Sequence, residues 1–507
     1  MNTLPIAVIC LPLAGCLLLV GLPGRAGRRL APAVGVATSA LALAAVVWAV
    51  ALFDRGASDR AQLVTDVAWA PSVGLSLRFG MDGLSLPFVL LTALLVFCCL
   101  LYTVRVRPPG GSVRAFVALV LAAEAGMLGA FLALDLLLFF VFLEAVLVPM
   151  WFLIAWWGDP GSRTGRVTAA TTFVLYSALG SSVMLLGFLL VGARTGTFSL
   201  PALAALEGSG MSTGSQLVAA LAIVGGLAVT VPVWPLHTWL PDAHAAAPTV
   251  GSVLMAGVLL KIGSYGLVRV AVPVVPDGFR LLAPVVGGLA VVGVVYGALA
   301  CLAQRDLTRL VAYSSVGHMG FVVLGIATLA PAGLNGSVFA GVAHGLVVAL
   351  LFFLVGALRD RHGTTDLSAL GSGLYARAPR LGVLVTFTAL AALGVPGLAG
   401  FWGGLLALLG AFDPAAVLDR PFYLGLLAVA AVGAVLTAVY LLATVRRVCY
   451  GEGATGVRPA GVPASVRDVT GHEVASWGPL VALTVLLGLW PAPLLALVDP
   501  VMQAVAL

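Results

Sequence analysis

Two carboxylates, one ammonium and two imidazoles stand inside long apolar runs of this sequence, and such a set could carry a proton. Lys261 is the only lysine among 507 residues; the remaining 25 of its 26 Lys and Arg residues are arginine. It lies in VGSVLMAGVLLKIGSYGLV, where a bilayer-spanning helix places it near the membrane midplane. An ammonium facing lipid there costs about 2.5–3.5 kcal/mol even on lenient insertion scales, so such groups face a bundle interior and mark an ion or proton path. Burial can bring a lysine to release its proton, whereas a guanidinium stays charged, so only the lysine can act as a switch. Glu124 (LAAEAGMLG) and Glu144 (FFVFLEAVLVPMW) are the acidic residues well inside apolar runs, with Asp135 at the turn between them. His318 (SSVGHMGFVV) and His344 (GVAHGLVVALL) titrate near neutral pH, and Tyr313, Ser314 and Ser315 could extend a hydrogen-bonded path. A single histidine on an apolar helix is more often structural. A set spread over successive helices has the form of a proton wire, with titratable stations bridged by water. Ser, His and Asp occur in no motif that identifies a hydrolase.

The elements that must hold these groups follow from composition. Hydrophobic residues make up 61% of the chain and charged residues 9%, against about 45–50% and 25% in soluble domains. Runs of about 20 apolar residues, enough to cross a hydrocarbon core, begin near Leu4, Leu30, Leu84, Ala115, Leu136, Ala169, Gln216, Thr249, Leu281, Arg309, Gly336, Leu381, Pro421 and Trp477. That gives 14 helices. They are too long for barrel strands and lack strand alternation, so the class is an α-helical membrane bundle. Numbered from the N-terminus, odd loops carry 18 arginines and even loops 7. The positive-inside rule makes the odd loops cytoplasmic and puts both termini on the other side. The net charge of +6 is thereby explained as topology and does not point to nucleic acid. LAGC ending at Cys16 resembles a lipoprotein cleavage box, but no basic segment precedes it and LLLVGL follows, so it is read as part of a retained first helix. The cysteines (Cys10, Cys16, Cys98, Cys99, Cys301 and Cys449) lack metal-ligand spacing and are read as structural.

Proline and glycine interrupt the pattern at informative places. The seventh helix contains Pro232, Pro235, Pro241 and Pro248, the eighth opens directly afterwards, and the twelfth contains LGVPGLAGFWGG around Pro396. A broken hydrogen-bond ladder at membrane depth is tolerated only against protein or a water-filled cavity. Breaks at corresponding places in helices four to eight and nine to thirteen suggest inverted repeats around an ion path.

The strings FFVFLEAVLVPMWFLIAWWGD, PLHTWLPDAHAAAPTVGSVLMAGVLLKIGSYGLVR, AYSSVGHMGFVVLG and GVPGLAGFWG resemble subunit M of the proton-pumping NADH:quinone oxidoreductases, respiratory complex I. The resemblance runs from about the third helix through the thirteenth, and these antiporter-like subunits are also similar to components of multisubunit sodium/proton antiporters. It implies an all-α polytopic bundle of about 14 transmembrane helices with two inverted five-helix repeats and broken helices 7 and 12. The corresponding segments are residues 1–110 (helices one to three), 111–275 (first repeat), 276–450 (second repeat) and 451–507 (a cytoplasmic loop and the last helix). It further implies a bacterial cytoplasmic membrane, L-like and N-like neighbours, no cofactor or metal in this chain, and NAD, FMN, iron–sulfur clusters and quinone in partner subunits.

Carried over residue by residue, the resemblance assigns a proton path to Glu144, Lys261, His237, His244, His318 and His344, with Glu124 and Thr230 as further candidates. Two positions depart from the family. Thr230 stands where the seventh helix has a lysine, and Gly404 where the twelfth has a glutamate. Glu144 thus lacks the cation that would favour its ionised form, and the far half lacks a terminal acceptor. Three readings stay open: a proton-translocating subunit with an incomplete relay, a component of a cation/proton antiporter, and a membrane scaffold that does not pump.

Overall fold

The computed structural model describes residues 3–70, 75–107, 110–158, 163–450 and 466–506. Arg458 and most of the expected loop before the last helix fall outside these residues. Among the described residues, 13 helices are long and apolar enough to cross a membrane. The twelfth span is absent from that number because it is two shorter helices, Pro379–Leu393 and Gly400–Phe412; counting it gives the 14 spans expected.

The spans start earlier than hydropathy alone suggests. The second is Gly24–Leu52, so Arg25, Arg28 and Arg29 belong to its first turns, and the sixth is Arg163–Thr195. Arginine stems can lie along a helix while their heads reach the interface. Between the second and third (Ser85–Thr103) spans stands a two-stranded antiparallel hairpin, Gln62–Ala70 with Leu75–Met81. Among the described residues it is the one pair of strands in an otherwise helical chain.

Burial separates centre from rim. In the most apolar windows of the eighth (Thr249–Val274) and eleventh (Pro331–His362) spans 94% of residues are buried, against 28% in the second and thirteenth (Arg420–Cys449). The groups on the two central spans are therefore shielded from lipid by neighbouring helices. Fourth (Val113–Leu132) to eighth and ninth (Pro276–Ala303) to thirteenth spans form two sets, and the fourth member of each is broken. An odd number of crossings separates the two sets, so they run with opposite topology.

The seventh span breaks between Thr213–Thr230 and Trp239–Ala246. The Trp239 indole donates to the freed carbonyl of Val229 at 3.1 Å. In the twelfth, Gly394 and Gly397 have φ of +81° and +92°, a conformation glycine adopts without steric cost. The fourteenth span (Gly471–Leu489) satisfies backbone and indole there: Ala399 N donates to Thr484 O at 2.9 Å, and Trp402 Nε1 to Gly488 O at 2.8 Å. The eighth span is continuous but contains two π-helical turns, Met255–Leu259 and Leu267–Ala271. Lys261 lies between them.

Candidate functional site

Lys261 is fully buried. Its ammonium donates to the carbonyl of Ala256, in the first π turn, and lies 2.6 Å from Nδ1 of His344 on the eleventh span. π turns are uncommon and concentrate at functional sites; here the widened turn gives the lysine an acceptor on its own helix.

His344 neighbours a second imidazole. Its ring lies 5.4 Å, centroid to centroid, from that of His318 on the tenth span (Leu307–Ala327). His318 is seated between two carbonyls, with Nδ1 2.7 Å from Ser314 O and Nε2 2.8 Å from Ala392 O. The seat offers an acceptor to each ring nitrogen, a geometry that both N–H groups of an imidazolium would fill. Ala392 lies in the last turn of the first half of the twelfth span, where unpaired carbonyls carry the negative end of the helix dipole. Ser314 Oγ meets the Tyr440 hydroxyl at 2.7 Å. His318, His344, Ser314 and Gly404 share a cavity of about 250 Å³, otherwise largely lined by apolar residues.

The surroundings of Glu144 are built differently. Glu144, on the fifth span (Leu136–Trp157), accepts a hydrogen bond from Ser181 Oγ of the sixth. Glu144 and Thr230 face one small cavity of about 10 Å³, together with Leu259 of the π turn. That is close to the least space that holds one water.

A family profile described as "NADH:quinone oxidoreductase/Mrp antiporter, TM" matches residues 133–432, the segment that contains both broken helices together with Glu144, Thr230, Lys261, His318 and His344. The chain belongs to this family. It is 36% identical to NADH-quinone oxidoreductase subunit M of Rhodobacter capsulatus, over 99% of this chain and 96% of the relative. It is 38% identical to an NAD(P)H-quinone oxidoreductase chain 4 of Nostoc sp., over 96% and 88%. Its fold is similar to a chain of respiratory complex I from Thermus thermophilus with bound NADH (TM-score 0.86, 30% identity, 99% and 98% covered). It is also similar to a chain of the Mrp complex from Dietzia sp. DQ12-45-1b (TM-score 0.83, 25% identity, 100% of both chains).

Within this family fold, the expected residues do not all meet. Lys261, His344 and His318 form one group, and Glu144 and Thr230 another. His237, in the seventh-span break, packs edge-on to Tyr296 at 4.9 Å and lies 6.4 Å from Tyr313. Tyr313 therefore joins His237 and points away from the contacts of Ser314. Adjacent residues on a helix point about 100° apart, which explains the divergence. His244 stacks on Phe352 at 4.5 Å and, like Glu124, is fully buried. Neither the His244 ring nitrogens nor the Glu124 carboxylate has a hydrogen-bond partner among the described residues.

Asp135, expected at a turn, caps the fifth span by accepting from the amides of Leu137 and Leu138. Cys98, Cys99, Cys301 and Cys449 are buried as expected, whereas Cys10 is exposed. Sequence reasoning missed Tyr440, Tyr265, Arg269 and Asp82. Tyr265 and Arg269 had a signal, because they follow Lys261 at four and eight residues and so share its helix face. Tyr440 is one tyrosine in a long apolar helix and gave none.

Proposed function

We propose that this chain is an M-like membrane-arm subunit of a quinone-reducing NADH dehydrogenase in a bacterial cytoplasmic membrane. It lies between L-like and N-like neighbours and moves protons through Lys261, His344 and His318. Partner subunits hold NAD, FMN, the iron–sulfur clusters and quinone. The observation that carries this reading is the contact between a fully buried ammonium and an imidazole nitrogen at 2.6 Å. A proton passed from Nζ to Nδ1 leaves a neutral amine and an imidazolium, and the cavity beside both histidines has room for the water that carries it on. Glu144 on the near side supplies a carboxylate that works with Ser181 and one water in place of a lysine at position 230.

Thr230 and Gly404 favour a second reading, in which the bundle is a scaffold that does not pump. The two separate in the native complex, purified, identified by its subunits and reconstituted in vesicles. Proton uptake per quinone reduced is compared at matched subunit content. Lys261→Met should lower it, and Lys261→Arg should lower it too, because arginine does not release its proton. Unchanged uptake in Lys261→Met supports the scaffold. Small antiporter subunits in place of dehydrogenase and iron–sulfur partners would instead identify an antiporter component.

A further inference from the structure

The face with few arginines carries a cavity of about 620 Å³, lined in part by Asp59, Arg60, Asp82, Glu207, Arg269 and Asp277. All these residues sit at loops or span ends that the positive-inside rule places outside. The cavity floor is an ion pair between the Arg269 guanidinium, in the second π turn of the eighth span, and the Asp82 carboxylate. Asp82 is held in turn, since its other oxygen accepts from the amides of Leu84 and Ser85 at 3.1 and 2.9 Å.

Beneath the floor, Arg269 Nε donates to the Tyr265 hydroxyl at 3.1 Å, and that hydroxyl donates to the backbone carbonyl of Phe131 at 3.0 Å. The hydroxyl's proton is committed to a carbonyl that cannot pass it on. The ring of Tyr265 then packs against Phe131 at 5.2 Å, Phe88 at 6.1 Å and Phe139 at 6.3 Å. Phe88 and Lys261 border the same spot on the eleventh span: a Cβ built on Gly341 would stand 3.2 Å from the Phe88 ring and 3.9 Å from Lys261 Cγ. From Lys261 to Arg269 is eight residues of helix, about 12 Å of rise, and the space between is occupied by rings.

We propose that Arg269, fixed by Asp82 and Tyr265 above a plug of aromatic rings, is an electrostatic seal that closes Lys261 off from outside water. A guanidinium stays protonated and, fixed on Asp82 and Tyr265, cannot take up a proton and pass it on, and apolar rings leave water nothing to bond. A proton on Lys261 can then leave only by way of His344. Nothing in the path assigned above uses these groups.

The seal rests on the reading that Lys261 holds a mobile proton, and its test needs no pumping. The assembled complex is reconstituted in vesicles with its electron donor withheld. An imposed pH step is followed with an interior pH dye. Removing Arg269 alone would strand a buried carboxylate, so the informative variant is Asp82→Asn with Arg269→Gln, which keeps a polar pair without the charge. Its passive proton permeability should rise roughly tenfold over the parent. Adding Lys261→Met should abolish that rise, and Arg269→Lys, which keeps a cation, should stay tight. Vesicles of the assembled double variant as tight as the parent would overturn the seal. A leak that persists without Lys261 would overturn its connection to the lysine, and a leak in Arg269→Lys would overturn its electrostatic nature. If instead Lys261→Met leaves proton uptake per quinone unchanged, the functional reading fails and the permeability result stands separately.

Discussion

The two halves of the bundle differ around Thr230 and Gly404, the two positions where the resemblance implies a charged residue. Around Thr230 the helices have closed up. The space shared with Glu144 is about 10 Å³, and a Cβ on Gly263 of the eighth span would lie 3.1 Å from that of Thr230. Around Gly404 the space stays open at about 250 Å³, and a Cβ there would meet nothing within 4 Å. The carboxylate of the first half has found a neutral donor in Ser181, whereas in the second half two histidines remain and line the open cavity. A missing side chain in a membrane helix can thus be absorbed by packing or left as volume. Only the second course leaves a route for water.

The largest expected effect tests how sharply that boundary is drawn. Gly403 adjoins Gly404, yet a Cβ on it would stand 2.5 Å from Cα of Ala340 on the eleventh span. On the same seam a Cβ on Gly336 would stand 2.5 Å from Ala407 N and one on Gly410 2.5 Å from Gly333 Cα. Small residues let these backbones touch. Gly403→Val should therefore remove most of the assembled subunit from the membrane, while Gly404→Val should assemble normally; immunoblots of the purified complex measure both. Equal loss in the two variants would show that the cavity is not open beside Gly404.

The next effect distinguishes the halves by repair. Gly404→Glu places a carboxylate in existing space, so assembly should be unchanged and proton uptake per quinone should rise. Thr230→Lys must fit a longer side chain into a closed site, at about 1–3 kcal/mol of overpacking, which an ion pair with Glu144 offsets only in part. Its complex should lose thermal stability relative to the parent. A lysine at 230 tolerated without loss would mean that the first half is looser than its cavity suggests.

Much of this contrast was legible in the sequence. Both departures stand in recognisable strings beside prolines or glycines that break a helix, and those breaks occur where expected. The grouping of Lys261 with His344 and His318, apart from His237, His244 and Glu144, came only from the packing of the spans. What sequence did not reveal depends on neighbours. No proline marks the first π turn, Met255–Leu259, whereas Pro273 stands two residues beyond the second. A charge beside an apolar run such as Arg269 reads as the run's end; only the partner Asp82, 187 residues away, shows that it is half-buried within the span. The hairpin was overlooked because a search for long apolar runs passes over the period-two alternation of LSLRFG.

The smallest expected effect asks whether the open cavity holds water. Ser181 and Ser314 occupy comparable roles, the first donating to Glu144 and the second paired with Tyr440 at 2.7 Å. Ser181→Ala removes a donor from a carboxylate whose cavity is already near the limit for one water, so the loss is about 1 kcal/mol. Tyr440 is only 2% exposed, and in a dry protein an unpaired hydroxyl there would cost about 1–3 kcal/mol. Ser314, however, lines the cavity of about 250 Å³ together with His318 and His344, groups that can anchor water. Water can then take the place of the lost hydroxyl, and Ser314→Ala should destabilise the assembled complex less than Ser181→Ala does. Thermal unfolding of the two purified variants against the parent gives the order. The reverse order would mean a dry cavity, in which a proton leaving His344 has no water to carry it, and the scaffold reading would gain the advantage.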